Sequence, residues 1–253
     1  MARSVLGIDI GGSFIKFAPV DVDSGQILVE PADIALPQPA TPAKLLDAVR
    51  SLMKQLKWSG PVGVGYPGVV KHGLTKSAAH MDSSFIGYDW LSDLKKLTME
   101  PVALINDADA AGLAEVRFGA AMDFSAPDSG TALVITLGTG IGTALFTGGR
   151  LLPNTEFGHM QMGEREAEEW AAASVRVKEQ LDWPDYGNRV NRFLREMDRL
   201  LSPDLIVIGG GISENFAKFR AHIKVSCPVV TAQLGNRAGL IGAALAIEPT
   251  GHS

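Results

Sequence analysis

The strongest constraint on this chain is that its pattern of elements is spelled twice. Val5-Leu6-Gly7-Ile8-Asp9-Ile10 is an apolar run with one carboxylate that turns on Gly11-Gly12. The residues that follow, 13–20, alternate apolar and polar with β-branched and aromatic side chains, so they predict a second strand rather than a helix. The pattern restarts at 131–136, turns on Gly138-Thr139-Gly140 and resumes as a strand over 143–146. Each half then continues with a third strand and a helix, strand, helix, strand, helix succession. Two long copies are too few and too widely spaced for a solenoid, and the natural solution is two mixed α/β lobes with a cleft between them. The two glycine turns would face each other across that cleft and hold one phosphate chain.

A glycine turn between two strands is no dinucleotide fingerprint, which needs a helix directly after its glycines. It can still bind phosphate, because bare backbone amides point into the space a side chain would fill. Asp9 would then face the phosphates, where a carboxylate makes sense only with a cation between them. The competing reading is a plain hairpin with an Asp in search of a partner.

Several local signals place the remaining elements. Residues 31–42 are proline-rich and read as a connector, ending at Thr41 and Pro42, which suit the cap and first turn of a helix. The polar stretch 71–88 carries no clear period. Strands are expected at 62–65, 102–105, 205–208 and 229–230, and helices at 90–97, 108–118, 165–181, 186–201, 214–223 and 238–247. The expected lobes are 1–107 with 238–253, and 108–237.

Composition excludes several classes. The formal net charge of −5 gives no reason to expect nucleic-acid or acidic-membrane partners. No apolar run approaches the ~20 residues a bilayer requires, and no signal-like region precedes the first strand, so a cytoplasmic protein is expected. Cys227 is the single cysteine, which excludes an internal disulfide and any cysteine-rich metal site.

Six motifs in order resemble the ROK family within the actin-like, ribonuclease H-like sugar-kinase and Hsp70 superfamily. They are Asp9-Ile10-Gly11-Gly12-Ser13, Tyr66-Pro67-Gly68-Val69-Val70, the run from Asn106-Asp107 to Glu115, Leu137-Gly138-Thr139-Gly140-Ile141-Gly142, Pro153-Asn154-Thr155-Glu156-Phe157-Gly158-His159, and Ser202 to Ser213 around Gly209-Gly210-Gly211. Within that family the polyphosphate-dependent glucokinases match best. The resemblance implies phosphoryl transfer to the 6-hydroxyl of glucose, from polyphosphate, ATP or both, with Mg²⁺ and as a homodimer.

It also assigns roles. Asp107 would be the general base; the alternative is that it only caps the helix behind it. Asn106, Gly68, Glu156, His159 and Glu168 would hold the sugar. Gly11, Gly12, Ser13, Gly138, Thr139, Gly140, Gly210 and Gly211 would cradle phosphate, and Asp9 would hold Mg²⁺ through water. Lys16 would add charge to the donor site, or is a solvated strand lysine. Glu164, Glu166 and Glu169 crowd Glu168 and read as a solvated charge run. Many ROK proteins bind zinc through a histidine at the place of His159 and a cysteine cluster; without those cysteines zinc is not expected.

Polyphosphate should follow a basic path, for which Lys71, His72, Arg150, Arg165, Lys218, Arg220 and Arg237 are candidates. Two departures from the polyphosphate glucokinases stand in a loop expected to border the sugar: His80 for an asparagine and Phe85 for a tryptophan. The rival readings are an ATP-dependent ROK hexokinase and, more remotely, a sugar-sensing ROK protein without catalysis. A ROK repressor would carry a DNA-binding segment before the first hairpin, where only four residues precede Val5.

Overall fold

The computed structural model describes residues 3–78 and 81–247. By contact the chain forms two units, Met1–Ala114 with Arg237–Ser253, and Glu115–Asn236.

In the first unit, β1 (Ser4–Ile10) and β2 (Phe14–Asp21) are the antiparallel arms of the first glycine hairpin. β3 (Gln26–Ile27) pairs with the far end of β2. The proline-rich connector is not all loop: β4 (Ala32–Ala35) pairs with the near half of β2, from Phe17 to Phe14. Its prolines flank the strand instead of interrupting it, as suits a short edge strand. α1 (Pro42–Leu56) starts where expected, with Thr41 accepting the Lys44 amide at 3.4 Å, and buries Leu45, Val49 and Leu52. β5 (Val62–Tyr66) runs parallel to β1.

The polar stretch that follows closes a small hairpin, β6 (Val70–Lys71) and β7 (Leu74–Thr75). After it come α2 (Trp90–Thr98), β8 (Val102–Asn106) and α3 (Asp107–Phe118). The sheet order is β3-β2-β1-β5-β8, with β4 also on β2. Phe85, in the loop expected to border the sugar, is fully buried, its ring 5.2 Å from Tyr66 and 5.4 Å from Trp90. A large ring on a polar loop gains most by joining the aromatic cluster under β5. His80 lies outside the described residues.

The second unit repeats the plan. β9 (Thr131–Leu137), β10 (Ile141–Thr147) and β11 (Arg150–Leu152) form the second hairpin and its third strand. α4 (Ala167–Ala171), α5 (Ala173–Lys178) and α6 (Trp183–Leu201) follow, then β12 (Leu205–Gly209) and β13 (Val229–Thr231). The order β11-β10-β9-β12-β13 matches the first sheet strand for strand. α6 begins earlier than its apolar period indicates, because Asp182 accepts the Asp185 amide at 2.8 Å and a proline occupies the first turn.

Two expected helices differ. The helix over 165–181 is broken at Ala172, whose backbone is extended (φ −61°, ψ 155°). In place of one α-helix over 214–223 stand two 3₁₀ segments, Gly211–Lys218 and Arg220–His222. Phe216 and Phe219 are both buried, 5.2 Å apart, and a three-residue period puts them on one side. The chain then returns to the first unit as α7 (Ala238–Leu245), which packs on β1 and β5. Among the described residues no helix is long and apolar enough to cross a membrane.

Candidate active site

In the first unit two carboxylates, Asp9 and Asp107, stand near the ends of β1 and β8, the parallel strands on either side of β5. Asp9, one residue from the end of β1, pairs in register with Gly65 on β5 and with Lys16 on β2. A methyl group on Gly65 would lie 3.7 Å from both Asp9 Oδ1 and Asp107 Cα, so Asp9 and Asp107 flank one glycine. One on Gly239, in the first turn of α7, would lie 2.6 Å from Asp9 Oδ2; only glycine leaves the carboxylate its place. Burial pushes the Asp9 carboxyl above its ordinary value, with Lys16 opposing the shift. Among the described residues nothing donates a hydrogen bond to that carboxylate. Lys16, the register partner of Asp9 on β2, is partly buried.

Asn106 ends β8 almost completely buried. Its Oδ1 accepts the Asp109 amide at 2.9 Å, and its Nδ2 donates to the Gly68 carbonyl at 3.1 Å. Asn106 is thus the cap of α3, and it also ties that helix to the turn after β5. Asp107 sits one position further, where its Oδ1 accepts the adjoining Ala108 amide at 2.8 Å. At Gly68 (φ 153°) a side chain would collide with Ser77. Gly11, Gly12 and Ser13 form the turn of the first hairpin; Gly12 and Ser13 are exposed, and the Gly11 amide donates to Phe14 O at 2.9 Å.

In the second unit the loop after β11 is held to β10 by a threonine pair. Thr155 Oγ1 donates to Thr143 O at 2.9 Å, Thr143 Oγ1 donates to Thr155 O, and the Phe157 amide donates to Thr143 Oγ1 at 3.3 Å. This anchoring presents Glu156 just before, and His159 at the end of, a 3₁₀ turn, Phe157–His159. The structure brings together His159, Glu156 and Glu168: His159 Nε2 is 3.9 Å from Glu156 Oε2, and its Nδ1 is 3.7 Å from Glu168 Oε1.

Sequence reasoning missed the shortest contact. Glu166 Oε2 lies 2.7 Å from His159 Nδ1, so Glu166 joins the His159 cluster. Its hydrogen bond is the main reason the imidazole is held above its ordinary pKa, despite partial desolvation. Burial pushes Glu156 up; His159 pulls it down and Glu168 adds to the rise. His159, Glu166 and Glu168 also offer ligand atoms within 4.8 Å of one another.

Glu168 has a second contact. Its Oε2 accepts the Ile141 amide at 3.4 Å and packs against Gly140, placing it between the His159 cluster and the turn 138–140. The three-glycine turn abuts the same hairpin: Gly210 (φ 78°) lies so close to the Leu137 backbone that only glycine fits. Gly210 and Gly211 border a cavity of about 210 Å³ with Ser213, Thr231, Gln233 and Asn236. Glu115, another residue without an assigned role from the sequence, shapes its rim. This buried carboxylate accepts the amides of Leu234 at 2.8 Å, Gln233 at 3.1 Å and Ala120 at 2.8 Å. Of the basic candidates, Arg165 pairs with Glu179 at 2.9 Å and Lys218 lies 5.0 Å over the Trp183 ring.

The ROK family pattern matches residues 5–181. The chain is 43% identical to polyphosphate glucokinase of Mycobacterium tuberculosis over 252 residues, 99% of this chain and 94% of that protein. The polyphosphate glucokinase of Mycobacterium leprae is 41% identical, with 95% of this chain and 73% of the relative covered. The crystal structure of inorganic polyphosphate/ATP-glucomannokinase from Arthrobacter sp. strain KM matches with a TM-score of 0.89 at 41% identity, covering 96% and 98% of the two chains. A ROK family glucokinase from Streptomyces griseus, solved with glucose and AMPPNP, reaches 0.81 at 23% identity, covering 95% and 98%, a likeness of fold.

Proposed function

The chain belongs to the ROK family, with the duplicated actin-like, ribonuclease H-like fold, and from that premise we propose that it phosphorylates glucose at the 6-hydroxyl with inorganic polyphosphate. The observation that carries this reading is the placement of Asp107. Asn106 does the capping, so Asp107 stands at the end of β8 beside Asp9, across Gly65. Phosphoryl transfer asks a protein mainly for alignment, charge neutralisation and a base at the attacking oxygen.

In this reading Asp107 takes the proton from the sugar hydroxyl. Glu156, His159 and Glu168 grip the other hydroxyls, a carboxylate suiting a vicinal pair. Asn106 offers its second Nδ2 proton and Gly68 its backbone. Gly11, Gly12, Ser13, Gly138, Thr139 and Gly140 hold the donor phosphates, with Lys16 adding positive charge. Asp9 fits a divalent cation, because its partly buried carboxylate, raised by desolvation, accepts no hydrogen bond among the described residues. Bound there, Mg²⁺ would neutralise charge on the donor phosphates. A cytoplasmic homodimer is the expected form.

The cavity beside Gly210 and Gly211 favours ATP as a second donor, since a glycine turn there leaves room for a nucleoside next to the phosphates. The relatives' names support both donors: two are polyphosphate glucokinases and one is a polyphosphate/ATP-glucomannokinase. A panel of polyphosphate and ATP against glucose and mannose tests the proposal. Glucose 6-phosphate formed from polyphosphate supports it; formation from ATP alone rejects polyphosphate as the donor.

A further inference from the structure

The break at Ala172 has a consequence for the donor turn. Six residues apart on one continuous α-helix, Glu168 and Ser174 would point about 120° apart. With the chain extended at Ala172, both reach the turn 138–140. Ser174 meets it twice: its amide donates to Gly138 O at 3.0 Å and its hydroxyl to Thr139 O at 2.6 Å. Glu168 Oε2 meets it at the Ile141 amide.

We propose that Ser174 is a positioning residue for the phosphoryl donor, aiming the backbone amides of Thr139 and Gly140 at phosphate. The inference rests on the reading of 138–140 as a phosphate-holding turn. In a trans peptide the C=O of one residue and the N–H of the next point in opposite directions. Gripping the Gly138 and Thr139 carbonyls from the α5 side therefore turns the Thr139 and Gly140 amides the other way. Among the described residues neither amide donates to a protein acceptor, whereas the Gly138 amide is taken by Gly140 O at 3.0 Å. A side chain at Gly138 would meet nothing within 4 Å, so the turn is open there. Two aligned, unpartnered amides on an open turn form an anion-binding concavity.

The test compares Ser174→Ala and Ser174→Thr with the parental protein in two assays. One is calorimetric binding of inorganic tripolyphosphate; the other is steady-state glucose phosphorylation. Alanine keeps the backbone contact to Gly138 O and loses only the hydroxyl bond to Thr139 O. It is expected to weaken tripolyphosphate binding and raise the donor KM by about tenfold each, as one lost hydrogen bond allows, with the glucose KM unchanged. Threonine restores both. Alanine binding tripolyphosphate like the parental protein, an equal rise in the glucose KM, or threonine behaving like alanine would each overturn the role. A parental protein that makes no glucose 6-phosphate from any donor overturns the proposed function instead, while the tripolyphosphate titration still decides on Ser174.

Discussion

The Asn106 side chain accepts the amide of Asp109 at 2.9 Å and so takes the capping position of α3. Two good capping residues stand side by side in the sequence; the Asp109 amide goes to Asn106, while Asp107 Oδ1 accepts the amide of Ala108 at 2.8 Å. Asn106→Ala removes the cap and the bond to Gly68 O together, and an exchanged cap alone costs about 1–2 kcal/mol. Urea unfolding should show a larger loss for Asn106→Ala than for Asp107→Asn, which keeps an oxygen that can accept the Ala108 amide. Equal destabilisation by both would make Asp107 the structural residue.

Gly239 makes the second prediction. In a helix, glycine to alanine ordinarily stabilises by about 0.4–1 kcal/mol. Here the new methyl would sit 2.6 Å from Asp9 Oδ2, so the carboxylate has to move. Gly239→Ala should raise the Mg²⁺ concentration for half-maximal activity several-fold, with the glucose KM little changed. An unaltered Mg²⁺ titration would separate Asp9 from the cation.

The third concerns pH. The Glu166 hydrogen bond holds His159 above its ordinary pKa. The stability this pair contributes is complete below about pH 6.5, the ordinary histidine value, and is lost as pH rises through the raised one. With the imidazole 49% exposed, the contribution is small. An NMR titration of the His159 ring should show Glu166→Gln lowering its midpoint, whereas Arg165→Gln should leave it in place. No movement with Glu166→Gln would remove that contact from solution.

The doubled topology was legible because a glycine turn between alternating strands leaves few other solutions, and both sheets follow it. What escaped depends on tertiary contacts. β4 hid between prolines because its reason to be a strand is the neighbouring edge of β2. The break at Ala172 has no local signal in an alanine-rich run; its cause is the pair of Ser174 hydrogen bonds to the turn 138–140. Glu166 was lost in a run of four glutamates, where charge alone cannot say which one faces His159. Phe85 was legible as a large aromatic residue but not as a core one, since only the packing of Tyr66 and Trp90 places it.

The most direct measurement is the turnover of Asp107→Asn with polyphosphate and glucose, alongside its glucose affinity. A lost general base should lower kcat by roughly 10²- to 10⁴-fold, with the Kd for glucose within about threefold of the parental value. A variant that keeps most of the parental rate would contradict the assignment of Asp107 as the base.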